Sequence, residues 1–248
     1  LIPPSIMLVV YGPMALISVG KLFMAAFIPG FLLSGLYCLY VIIRCRLNPN
    51  LGPAIPKEER NVPFGKKTIM LLTSLVPPAV LVFSVLGVIF FGIAPPTEAA
   101  AVGALVATLL AAAYRKLNFT VLRETARETL KLTSAVLLIA AASFAFTGVF
   151  LNAGCGNVVK EFILATPGGR WGAFLMIMFV CFILGMFIDW MGIIFIIVPI
   201  VTPVVPALGF DPLWFAMMIC VNLQMSFMTP PFAYAIFFTR AAAPPELG

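Results

Sequence analysis

Three pairs of adjacent prolines stand between apolar runs with a hydroxyl residue beside them. These are Pro3-Pro4 before Ser5, Pro95-Pro96 before Thr97, and Pro230-Pro231 after Thr229. Proline has no backbone N–H, so each pair removes helix hydrogen bonds and frees carbonyls. In a bilayer, such groups are tolerated only where protein or a water-filled cavity satisfies them. Freed carbonyls and Ser or Thr hydroxyls are hard oxygen donors for a small cation, and half-helix N-termini suit an anion. The first and last breaks look alike and lie near the two ends, which predicts two structural repeats. The plainer alternative is that prolines only kink membrane helices. Pro77-Pro78, inside a long apolar run, fits that alternative.

Carboxylates are few. Asp189 stands at apolar depth, where an acid is costly and functional by default; the alternative is that it caps the helix that follows. Glu98 falls in a first helical turn, where a carboxylate favours the helix dipole, and capping is its better reading. Asp211 before Pro212 reads as an ordinary helix start. Arg240 lies near Thr229 and could attract a carboxylate or snorkel from a helix end. The chain has no histidine, and its five cysteines form no CxxC pair. No phosphate-binding loop, GxSxG or zinc spacing is present. These absences argue against an enzyme and leave ion-driven transport as the expected energetics, with no cofactor.

The elements that must position these residues belong to a membrane. Of 248 residues, 62% are hydrophobic and 10% charged, and the mean hydropathy is +1.14. A soluble domain is about half apolar and a quarter charged. The composition therefore excludes a soluble enzyme, a nucleic-acid binder and a disordered chain. At about 20 residues per span, there is room for roughly seven to nine spanning or re-entrant helices. The expectation is an all-α polytopic membrane protein. Leu1 is not a methionine and the chain stops on Pro244-Pro245-Glu246-Leu247-Gly248, so a fragment of a longer membrane protein is expected.

Residues 1–46 read as the end of a first repeat: an unwound stretch, an interfacial segment over 18–28, and a span from Pro29. Residues 47–67 form a polar, proline-rich loop, and 68–248 a second repeat. Within the latter, 115–131 reads as an amphipathic helix lying on the membrane surface, with Phe119, Leu122, Ala126 and Leu130 on one side and Arg123, Glu124, Arg127 and Glu128 on the other. A separate span follows over 132–151. Residues 171–208 read as a helical hairpin and 213–240 as a broken helix. Six of the 15 basic residues lie between Arg44 and Lys67 and five between Arg115 and Lys131. Short basic segments stay cytoplasmic, so residues 68–114 go out and return, turning near Pro95-Pro96. Trp171, Trp190 and Trp214 are expected as interfacial anchors.

Four motifs occur in order: Ile2-Pro3-Pro4-Ser5; Gly92 through Ala101 with Pro95-Pro96-Thr97-Glu98 inside; Gly185-Met186-Phe187-Ile188-Asp189; and Asn222 through Phe232 with Thr229-Pro230-Pro231 inside. Together they resemble the large membrane subunit of the tripartite ATP-independent periplasmic (TRAP) transporters, the DctM-like family, over essentially the whole chain. The resemblance implies an inverted-repeat, elevator-type transporter built from helical hairpins and discontinuous helices. It implies a sodium-driven importer of organic acids in the bacterial inner membrane. Its partners would be a small membrane subunit and a soluble periplasmic substrate-binding protein. By analogy, Pro3, Pro4 and Ser5 serve one sodium site, Gly185 and Asp189 lie at a hairpin tip, and Thr229 and Pro230 complete another sodium site. Pro95, Thr97, Glu98, Asn222 and Arg240 are further candidates. The chain departs from the family pattern at Pro95, where Thr is frequent, at Trp190, where Pro is frequent, and at Ala233, where Gly is frequent. A stand-alone sodium–dicarboxylate symporter is the alternative of the same class. A membrane-embedded enzyme and a channel are alternatives of other classes.

Overall fold

The computed structural model describes residues 1–52, 63–231, 233, 235, 236, 239 and 240. Among them there are nine α-helices and no strand. In chain order they are α1 (Ile6–Ala15), α2 (Val19–Leu47), α3 (Phe64–Phe90), α4 (Pro96–Ala113), α5 (Phe119–Asn152), α6 (Cys155–Leu164), α7 (Gly169–Phe187), α8 (Trp190–Val201) and α9 (Pro212–Ser226), with a single 3-10 turn at Pro49–Leu51. Five of these, α2, α3, α4, α5 and α7, are long and apolar enough to cross a bilayer. The chain is an all-α polytopic membrane protein.

The contacts group the chain into two compact units. One takes Leu1, Ser5–Ala26 and Arg123–Gly248; the other takes Ile2–Pro4 and Phe27–Leu122. These groupings cut across the division into repeats expected from sequence. In the second unit, α3 and α4 pack as the expected out-and-back pair. A Cβ at Gly103 would meet Val85 Cγ2 at 2.8 Å, so a small residue is what lets α4 approach α3. The Phe27 and Phe90 rings, 5.9 Å apart, tie α2 to α3.

The first unit holds most of the buried core. Here α1 packs on α8 and α9, α7 packs on α6, α8 and α9, and α6 also meets α8. The 12-residue helix α8 is buried at Gly192, Ile193, Ile194, Phe195, Val198, Ile200 and Val201. A helix that is apolar all round belongs inside a protein. At 1.5 Å per residue it is about 18 Å long, short of the hydrocarbon core. It is the return arm of the expected hairpin: α7 ends at Phe187, Ile188 and Asp189 are extended, and α8 begins at Trp190.

Two expectations about continuity need correction. The interfacial segment over 18–28 and the span from Pro29 form one helix, α2, with Pro29 inside it. The amphipathic stretch 115–131 is not a separate helix: α5 runs unbroken for 34 residues from Phe119 to Asn152. Nothing in Leu130-Lys131-Leu132-Thr133-Ser134-Ala135 is a helix breaker, so the backbone has no reason to stop where the polarity changes. Pro77 and Pro78, by contrast, lie within α3 and do not end it, in line with the plainer reading of prolines inside a membrane helix.

Candidate functional site

The hairpin tip and the break after α9 are built by local backbone logic. Asp189 (φ −61°, ψ 146°) is the N-cap of α8, and its carboxylate accepts a hydrogen bond from the Met191 N–H at 3.3 Å. The capping role is therefore real, and it fixes the half-buried carboxylate at the start of the return arm. Asp211 caps α9 in the same way, accepting from the Trp214 N–H at 2.8 Å. At the first break, Ser5 is the extended N-cap of α1 (φ −125°, ψ 123°), but its side chain makes no capping bond. The leading N–H groups of α1 thus lack the partner a capping Ser supplies.

The end of α9 changes its hydrogen-bond register before the prolines. The Phe227 N–H donates to Leu223 O, four residues back, whereas Met228 and Thr229 donate three residues back, to Met225 O and Ser226 O. Pro230 and Pro231 have no N–H to continue the ladder. The Ser226 carbonyl accepts from Thr229 instead, and the Phe227 carbonyl accepts from the Ala235 N–H at 3.2 Å, so the chain loops back on itself. The Thr229 hydroxyl donates to Met225 O at 2.9 Å, which leaves its oxygen lone pairs as acceptors or cation ligands. Ala233 is buried and sits at φ 41°, in the left-handed region. Only glycine adopts that region without strain, which accounts for the frequent glycine at this place in the family pattern. Phe232, the last residue of that motif, lies outside the described residues.

The structure brings α7 and α9 together along one seam. The two helices run parallel, with α8 returning between their ends. The Asn222 side-chain amide, on α9, donates to the Met178 carbonyl of α7 at 2.7 Å. One turn further on α9, Ser226 faces Gly185. A Cβ at Gly185 would fall 2.5 Å from Ser226 Cβ and closer still to its Oγ. The Ser226 hydroxyl donates to Leu223 O of its own helix at 2.7 Å. Asn222 and Ser226 are both buried. Gly185, Asn222 and Ser226 thus line one polar and small-residue seam, and Thr229 follows just beyond the helix end. Ser226 was not among the sequence-derived candidates. The available signal was its place four residues after Asn222, on the same helical face.

Other candidates stand elsewhere. Pro3 and Pro4 belong to the second contact unit, and Ser5 to the first. Pro95, Thr97 and Glu98 open α4 in the second unit, where all three are exposed. Glu98 is in the first turn of α4, as expected of a residue that favours the helix dipole. Arg240 is exposed and follows Thr239, whose hydroxyl donates to Ala235 O. Of the tryptophans expected as anchors, Trp171 and Trp214 lie 6.3 Å apart, centroid to centroid, with Phe174 and Phe210 beside them. Arg170 covers the Trp171 and Phe210 rings at 5.3 and 5.4 Å. Trp190 instead begins α8 at the far end of α7, next to Asp189.

Among the described residues, no three His, Cys, Asp or Glu side chains gather as a metal cluster. The groups around the breaks are backbone carbonyls and Ser and Thr hydroxyls, which are hard oxygen donors.

A model of the DctM component of the tripartite ATP-independent periplasmic transporters matches residues 1–247. The chain is 31% identical over 251 residues to the C4-dicarboxylate TRAP transporter large permease protein DctM of Pseudomonas aeruginosa, covering 100% of this chain and 57% of that protein. It is 30% identical over 238 residues to the sialic acid TRAP transporter large permease protein SiaM of Vibrio cholerae, covering 96% and 54%. It is 31% identical over 238 residues to the ectoine/5-hydroxyectoine TRAP transporter large permease protein UehC of Ruegeria pomeroyi, covering 96% and 54%. The chain spans about half the length of these relatives. A family model matched from end to end, on a helical hairpin and a broken helix joined at Gly185 and Ser226, identifies the chain as a member of the DctM family of TRAP transporter large permeases.

Proposed function

We propose that this chain is part of the large permease of a sodium-driven TRAP importer of organic acids. A periplasmic binding protein would deliver the substrate and a small membrane subunit would complete the permease in the bacterial inner membrane. The relatives are named for C4-dicarboxylate, sialic acid and ectoine, so the proposal names a carboxylate-bearing solute and no single compound. One observation carries the reading: α9 ends at Ser226, packed on Gly185 near the end of the first hairpin arm, and its hydrogen-bond ladder stops at Thr229-Pro230-Pro231. In this proposal the Thr229 hydroxyl and neighbouring carbonyls take sodium, and the rest of the first break, Pro3, Pro4 and Ser5, serves a second ion. Elevator movement of the ion-bearing elements is the matching transport mode.

The test uses the full-length permease with its small subunit and binding protein in liposomes. Uptake of a carboxylate substrate is expected to need an inward sodium gradient and the binding protein. Thr229→Ala is expected to lose at least tenfold in apparent sodium affinity, about 1.4 kcal/mol, while the folded protein retains its melting temperature in potassium. Uptake without the binding protein would favour the stand-alone symporter. Accumulation driven equally well in potassium would remove the sodium assignment.

A further inference from the structure

Two cavities in the first unit share the lining residue Ile200 and differ in chemistry. The larger, about 310 Å³, is lined only by apolar side chains, among them Phe146, Phe150, Ile163, Val180 and Ile197. The smaller, about 200 Å³, is lined by Leu151, Gly156, Asn157, Lys160, Pro203 and Val204 besides Ile200. Three elements pass from the smaller cavity to the larger in the same sense. On α6, Gly156, Asn157 and Lys160 give way to Val159, Phe162 and Ile163; on α5, Leu151 gives way to Phe150 and Phe146; and Pro203 and Val204 give way to Ile197 and Ile196 of α8. Side by side, the two cavities offer a smaller polar end that carries a cation and a larger apolar end.

Its direction in the membrane follows from α5. The charged stretch Arg123–Lys131 is the cytoplasmic end of that helix by the placement of basic residues. Leu151 lies twenty residues past Lys131, about 30 Å at 1.5 Å per residue, or one hydrocarbon thickness. The polar end therefore lies at the opposite membrane face, and the apolar end, level with Phe146, points toward the midplane. An aqueous solute has no reason to enter the apolar end, since nothing there replaces its hydrogen bonds. A hydrocarbon chain leaves the bilayer for it at no such cost. At the polar end, Lys160 is one of only four basic residues outside the stretches 44–67 and 115–131. No carboxylate lines either cavity, and Lys160 makes no ion pair among the described residues. The neighbouring Glu161 is exposed and lines neither cavity.

We propose that these two cavities hold an anionic phospholipid, with an acyl chain between α5, α6, α7 and α8 and its phosphate on Lys160 and the Asn157 amide. The full-length permease, purified in a neutral detergent, would be given phosphatidylglycerol or phosphatidylcholine whose acyl chain carries a photoreactive diazirine. Crosslinked peptides would then be mapped by mass spectrometry. Phosphatidylglycerol is expected to label peptides containing Phe150, Ile163 or Ile197, at least fivefold more than phosphatidylcholine does. Lys160→Gln is expected to abolish that preference and Lys160→Arg to keep it. Lys160 is exposed, so neither change threatens the fold; equal melting temperatures would verify this. Equal labelling by the two lipids, or a preference unchanged in Lys160→Gln, would overturn the proposal. So would labelling that avoids these peptides, because a protein segment of the longer chain or of a partner would then cover the cavities.

Discussion

Gly185 is the residue on which the α7–α9 seam turns. A methyl group there would overlap Ser226 Cβ, an atom fixed to the backbone that cannot swing aside. Gly185→Ala is expected to destabilise the protein by about 1–3 kcal/mol, the usual range for overpacking, read as a lower melting temperature. Ser226→Gly in the same molecule should recover most of that loss, whereas Ser226→Ala should not, because its Cβ remains. A double-mutant cycle on these two positions measures the contact directly. Ala233 gives the opposite sign. Its left-handed φ costs an L-residue roughly 1 kcal/mol, so Ala233→Gly should raise the melting temperature unless the entropy of the unfolded glycine offsets it fully. Sequence made Gly185, Asp189 and Thr229 visible because each interrupts an apolar run. Ser226 stayed hidden, since a lone serine in an apolar helix looks like any other until the facing helix is known. The cap at Asp189 was legible: it was the stated alternative to a functional acid, and the geometry bears out the cap.

At the scale of elements, the breaks were easier to read than the continuities. Prolines and glycines ended α3 and started α4 and α9 near where the sequence placed them, because their backbone effects act locally, and Asp189 capped the return arm of the hairpin. The boundaries at Pro29 and near Lys131 were drawn from changes in polarity, and polarity says where a helix meets water rather than where it stops. Thus α5 carries a charged first half and an apolar second half on one rod of about 51 Å, at 1.5 Å per residue. Thr133→Pro is expected to break this rod at a cost of about 3 kcal/mol or more, seen as a loss of helical signal and of melting temperature. If the two halves were independent helices, proline at that junction would cost little. Ion pairing does not account for the unbroken run: the only ion pair among the described residues, Lys131 with Glu128, is exposed and contributes little.

For the molecule as a whole, the charge pattern commits the chain to one orientation. In a cysteine-free background, Leu117→Cys should react with an impermeant maleimide from the cytoplasmic side, and Ile93→Cys only from the other. Both positions are exposed ends of the α3–α4 pair and its exit, so reagent can reach them without disturbing a contact. The reverse labelling would invert every statement about which face carries Lys160. Membrane class was legible because it depends on a sum over many residues, the hydropathy of the whole chain. The grouping of residues 5–26 with 123–248 was not, because it depends on long-range packing that no local pattern encodes.

The closeness of Gly185 to Ser226 has a further consequence. Two helices that leave no room for a methyl between them leave none for a water molecule either. At that level the joint between α7 and α9 is a seal: no file of waters can thread it, and protons have no chain along which to hop. An ion that reaches the Thr229 hydroxyl must therefore arrive around the seam rather than through it, and a leak along this joint would first require the two helices to part.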